Sequence, residues 1–213
     1  VGKHVPPPAA YIPALMRDLE KFLNSDTYPP LLKAGIAHAQ FETIHPFWDG
    51  NGRIGRLLIV LTLLNDGVTA QPLLYPSYYF KRFRSDYYAH LDGIRRKGDW
   101  HSWLRFYLRA VNETANDMVL RMERIAEAIE AYRVQIAELS VKSGDALLDR
   151  LLEVPVFSVN QLAGSMGYSF AGANGVIKKL EEAGIVKRTG AGRRFRRYRL
   201  ERYMEILEAD TAF

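Results

Sequence analysis

A chain of 213 residues, 48% of them hydrophobic, is long enough for one large domain or two small ones and has ample material for a buried core. Its formal net charge of +5 favours polyanionic partners such as nucleotides or nucleic acid. The lack of cysteine excludes a disulfide framework, a thiolate metal site and a cysteine nucleophile, and fits a reducing compartment.

The chain opens Val1-Gly2-Lys3-His4 with no initiator methionine, as expected of a piece of a longer protein. No signal peptide is visible, and the longest apolar run, residues 57–64, is too short to cross a bilayer, so a soluble cytoplasmic protein with no membrane partner is expected. After Pro6-Pro7-Pro8, apolar residues at three- and four-residue spacing (Ile12, Leu15, Met16, Leu19, Phe22, Leu23) predict a first helix. Further helices are expected over residues 31–44, over 53–65 as a strongly apolar buried element ended by Gly67, and over 78–97 ended by Gly98. Residues 100–139 read as a long helix whose early aromatics (Trp100, Trp103, Phe106, Tyr107) are core and whose later part is solvated.

At residues 140–144 the composition turns small and polar, which marks a linker and sets expected domains of 1–139 and 140–213. The second domain reads as a helix over 145–152, a short helix capped by Ser158, and a helix over about 172–183 stopped by Gly184. Alternating residues around a Gly-rich turn at 189–192 then predict a β-hairpin. The expected fold is therefore mainly all-α, followed by a small α+β winged helix-turn-helix.

Chemistry concentrates in His45-Pro46-Phe47-Trp48-Asp49-Gly50-Asn51-Gly52-Arg53-Ile54-Gly55-Arg56. Gly50 and Gly52 permit positive φ, so that successive N–H groups converge, and the helix that follows adds its positive end: an anion site. Asp49 is a hard oxygen donor for Mg²⁺, Asn51 can donate to a phosphate oxygen, and Arg53 and Arg56, three residues apart on one helical face, can grip phosphates. His45 is suited to take a proton from a hydroxyl near neutral pH. The same glycines satisfy G-x-G-x-x-G, but the dinucleotide-binding reading requires a preceding strand and an acid about twenty residues later. Here a helix precedes, and the later positions are Leu73-Leu74-Tyr75.

The segment resembles the Fic-family pattern H-P-F-x-[D/E]-G-N-G-R-x-x-R at every defined position, and family-like stretches extend over about residues 5–110. The resemblance implies a Fic helical bundle acting as a protein adenylyltransferase, which transfers AMP from ATP to a Ser, Thr or Tyr hydroxyl of a target protein. It implies His45 as general base, Asp49 as Mg²⁺ ligand, Gly50, Asn51 and Gly52 as phosphate cradle, and Arg53 and Arg56 on the triphosphate. It further implies that Phe47 anchors the loop in the core and that a β-hairpin flap precedes the first helix, with a remnant strand near Val5. Tyr79, Phe83 and Tyr87 are candidate contacts for the nucleotide base, although relatives often carry Asn where Phe83 stands. The inhibitory motif [S/T]-x-x-x-E-[G/N] of many relatives has no match, which leaves an upstream segment, a partner or no restraint as the alternatives. Winged helices occur at the C-terminus of some family members, and Lys178, Lys179, Arg193, Arg194 and Arg196 are the candidate DNA contacts here. Phosphoryl transfer from a reversed nucleotide and a DNA-binding regulator are the competing functions. Besides the target protein, a second copy of the chain is a candidate partner.

Overall fold

Proline lies in the first turn of each of the first two helices, and an apolar stripe holds the first. In a computed structural model that describes residues 4–141, 143–190 and 196–209, α1 is Ile12–Leu23 and α2 is Pro30–Ile44. They are followed by α3 (Asn51–Asn65), α4 (Ser77–Arg82), α5 (Arg84–Lys97) and α6 (Trp100–Glu138). The chain forms two compact units, Val1–Met118 and Val119–Phe213.

In the first unit, α2 is the central element. It carries Ala34, Gly35, Ala37 and Ala39, all buried, and such small residues let neighbouring helices approach from several sides. One side meets Leu19 of α1; another meets Ile59 and Leu63 of α3, Phe80 of α4, Leu91 of α5 and Trp103 of α6 in a single apolar cluster. A close approach is at Gly35, where an added Cβ would lie 2.6 Å from the Tyr107 ring while the Trp103 indole donates to the Gly35 carbonyl at 3.0 Å. A buried ion pair, Lys33 Nζ to Asp66 at 2.7 Å, ties the start of α2 to the end of α3.

Two expectations are corrected in this unit. The helix expected over 78–97 breaks at Phe83, which sits at φ −106°, ψ 47° with its ring 4.5 Å from that of Tyr79. Val5 forms no strand: residues 4–8 are irregular and Val5 is exposed. Ala128, Tyr132 and Ile136 of α6 pack into the core of the second unit.

The second unit runs α7 (Gly144–Glu153), β1 (Val156–Ser158), α8 (Val159–Met166), α9 (Phe170–Glu182), β2 (Val186–Thr189), β3 (Arg197–Leu200) and α10 (Glu201–Glu208). Ser158 caps α8 as expected, in a reciprocal capping box with Gln161. Ser169 caps α9, and Gly167 (φ 66°) and Gly184 (φ 71°) end α8 and α9. The sheet is antiparallel with order β1-β3-β2, pairing Phe157 with Tyr198 and Val186 with Leu200, so β3 is central. Neither β1 nor α10 is expected from the sequence. Among the described residues no helix is long and apolar enough to cross a membrane.

Candidate active site

The motif lies between the end of α2 and the start of α3. His45 is the C-cap of α2 in the left-handed conformation (φ 51°, ψ 57°), its amide donating to Phe41 O at 2.9 Å. Gly50 (φ 86°) is the N-cap of α3, and its carbonyl accepts from the amides of both Arg53 and Ile54 at 3.0 Å. The amides of Asn51 and Gly52, ahead of these, lie in the first turn, where N–H groups have no intrahelical acceptor. The geometry thus sets an imidazole and a helix N-terminus at the two ends of one short loop.

Asn51 holds that loop. It is 2% exposed, its Oδ1 accepts from the Phe47 amide at 3.0 Å and its Nδ2 donates to the Phe47 carbonyl at 2.6 Å. Its side chain is therefore engaged by the backbone rather than free for a phosphate oxygen, and any phosphate contact from Asn51 falls to its main-chain amide. Phe47, expected in the core, is fixed through its backbone instead, with its ring half-exposed beside Phe41. Trp48 is fully exposed.

Arg53 and Asp49 form an exposed ion pair at 3.3 Å. Such a pair is weak and readily exchanged for other partners. Arg56 lies closer in: its Nη1 is 3.1 Å from where a Cβ on Gly52 would stand, so a side chain at 52 would crowd it. Among the described residues no group of three or more His, Cys, Asp or Glu side chains converges as a metal site, and Asp49 is the single carboxylate of the motif. Mg²⁺ is commonly held by one or two carboxylates with substrate phosphates, and an open Asp49 fits that donor set.

Burial holds the His45 imidazole below its ordinary value and the charge of Arg95 adds to this, which favours the neutral, proton-accepting ring near pH 7. Beneath the loop lie polar groups that the motif does not reveal. Glu42 is buried with its carboxyl raised by desolvation, and its Oε1 is 2.6 Å from a Cβ position on Gly55. His38, wholly buried, bonds Tyr87 Oη through Nε2 at 2.9 Å and packs against the rings of both Phe80 and Trp103. Helical spacing from His38 through Glu42 to His45 is the sequence signal that places these groups near one face.

The candidate base contacts are mostly buried. Tyr79 and Tyr87 are 5% and 4% exposed, and Phe83 packs against the same core, so these aromatics fill the interior. Of the candidate DNA contacts, Lys178 is exposed and pairs with Glu182 at 3.6 Å, and Lys179 is exposed and donates to Leu139 O at 3.3 Å. Arg196 is exposed, whereas Arg193 and Arg194 lie outside the described residues.

Fold and site together define a helical domain that presents an imidazole at the end of one helix and open N–H groups at the start of the next. Residues 1–63 match the model of the Fic/DOC family. Protein adenylyltransferase Fic of Drosophila melanogaster is 37% identical over 117 residues, 54% of this chain and 22% of that protein, and its counterpart in Drosophila grimshawi is equally similar over 23% of its length. The crystal structure of a Fic family protein from Desulfovibrio desulfuricans G20 matches with TM-score 0.53 and 28% identity, over 93% of this chain and 58% of that one. Through residues 1–63 the N-terminal unit is thus similar to the Fic/DOC family. The match spans only about a fifth of the length of the curated relatives, 22% for the fly protein.

Proposed function

We propose that the N-terminal unit is a protein adenylyltransferase, transferring AMP from ATP to a Ser, Thr or Tyr hydroxyl of a target protein or of the chain itself. The observation that carries this reading is a neutral His45 held at the end of α2, one loop ahead of the open amides and the two arginines of α3. The amides of Asn51 and Gly52 receive phosphate oxygens, and Arg53 and Arg56 offset the triphosphate charge. His45 accepts the proton of the target hydroxyl. The hydroxyl oxygen then bonds to the α-phosphorus as the bond from that phosphorus to the bridging oxygen breaks, and pyrophosphate departs with the electron pair. Mg²⁺, for which Asp49 is the donor, would supply further neutralisation of phosphate charge.

The relatives' name and the match at every defined motif position support this reading. The test is incubation with Mg²⁺ and ATP labelled at the α-phosphate, with His45→Ala alongside, reading label on the chain and on added lysate. Label that requires His45 is the expected result. Label from γ-labelled ATP alone would replace the reading with phosphoryl transfer, and label indifferent to His45→Ala would remove His45 as base.

For the second unit we propose a winged helix-turn-helix of a cytoplasmic protein. The helix, strand and hairpin order and the β1-β3-β2 sheet support it. Duplex DNA is its candidate partner through exposed Lys178, Lys179 and Arg196 and the neighbouring Arg193 and Arg194. Binding that weakens steeply with salt would support that partner; no binding at low salt would dismiss it.

A further inference from the structure

His45 is one of three non-glycine residues with positive φ among the described residues, a conformation that persists only when its surroundings impose it. The last carbonyls of a helix also lack intrahelical donors. At the end of α2 three donors meet this need. The His45 amide takes the Phe41 carbonyl at 2.9 Å, His4 Nε2 takes that of Thr43 at 2.9 Å, and Arg95 Nη2 takes that of Glu42 at 2.8 Å. Arg95 Nε also donates to Thr43 Oγ1 at 3.2 Å, and that hydroxyl donates to the Ala39 carbonyl at 2.8 Å.

Arg95 therefore clamps both the main chain and a side chain of the last turn of α2, from α5 and from 52 residues away. A guanidinium can do this because its fork presents two donors in one plane, and a cation at a helix C-terminus is favoured by the helix dipole. Arg95 is half-buried and, among the described residues, forms no ion pair with a carboxylate, so its polar contacts serve the helix end. We infer that Arg95 is a positioning residue for His45, fixing the left-handed turn that aims the imidazole at the loop. The inference rests on His45 being the base of the proposed transfer.

Arg95→Met removes both bonds, and Arg95→Lys keeps the charge and one donor without the fork. With the labelled-ATP assay run as a time course, Arg95→Met should lower kcat by roughly ten- to a hundredfold. KM for ATP should stay within about twofold, since no nucleotide contact is lost. Arg95→Lys should recover part of the loss. The backbone Cα and Cβ chemical shifts of His45 report its left-handed conformation without any reference to activity. They should move toward right-handed or averaged values in Arg95→Met and lie between in Arg95→Lys. Unchanged His45 shifts in Arg95→Met overturn the inference whatever the assay gives, as does a raised KM with unchanged kcat. If the wild-type chain transfers nothing, the adenylyltransferase reading falls, while the shifts still judge the clamp. Should Arg95→Met fail to fold, Arg95→Gln, which keeps a single neutral donor, is judged by the same two measurements.

Discussion

Asn51→Ala is expected to loosen the motif loop while leaving the helices standing. The side chain makes two hydrogen bonds to the backbone of Phe47, one donated and one accepted, from a position 2% exposed. A hydrogen bond contributes about 0.5–1.5 kcal/mol net, so removing the pair costs about 1–3 kcal/mol of local stability. Phe47 is half-exposed, and water can reach its freed N–H and C=O, which points to the lower half of that range. The Phe47 amide reports the change by hydrogen exchange, which should accelerate by roughly fivefold to twenty-fivefold, at about tenfold per 1.4 kcal/mol. Asn51→Asp keeps an acceptor for the Phe47 amide and should exchange more slowly than Asn51→Ala. Exchange at Phe47 within about twofold of wild type in Asn51→Ala would mean that something other than Asn51 shapes the loop.

Gly55→Ala places a Cβ 2.6 Å from Glu42 Oε1 and 3.2 Å from His38 Nδ1. It should destabilise the first unit by about 1–3 kcal/mol in urea unfolding. Gly164→Ala, in α8 with open space around its Cβ position, should instead stabilise the second unit by about 0.5–1 kcal/mol. His38 is held down to about 4 from 6.5, chiefly by burial, so the folded chain binds fewer protons there than the unfolded one. Its contribution is whole above pH 6.5 and is lost as pH falls toward 4, on the order of 3 kcal/mol at most. The difference in urea midpoint between wild type and His38→Gln, followed from pH 7 to pH 4, should shrink; a constant difference would refute it.

The helices were legible where spacing and punctuation agree. Pro30, Gly67 and Gly98 mark ends that the structure keeps, and Ser158 caps α8 as its sequence position suggests. The break at Phe83 was not legible, because no proline or glycine announces it and the turn is held by tertiary packing on Tyr79. The aromatics of α4 and α5, expected at the nucleotide base, show a related ambiguity. Spacing tells which residues share a face but not whether that face meets a ligand or the core, and burial assigns Tyr79 and Tyr87 to the core. The order of the motif was plain, but Asn51, expected to donate to a phosphate oxygen, turns its side chain to the Phe47 backbone, since an amide serves a phosphate or a backbone equally well. Arg95 carried no signal at all: its partners lie 52 and 53 residues away on another helix.

Gly35 stands ten positions before His45 on the same helix, about 15 Å along its axis. Because Tyr107 leaves no room for even a methyl group there, α2 behaves as a lever whose fulcrum is a missing side chain. A substitution at that point would tilt the far end, where the imidazole sits, with every letter of the motif intact. Inactive natural variants of this chain would then pass any inspection confined to residues 45–56, and the fault would be found only by looking at what the helix leans on.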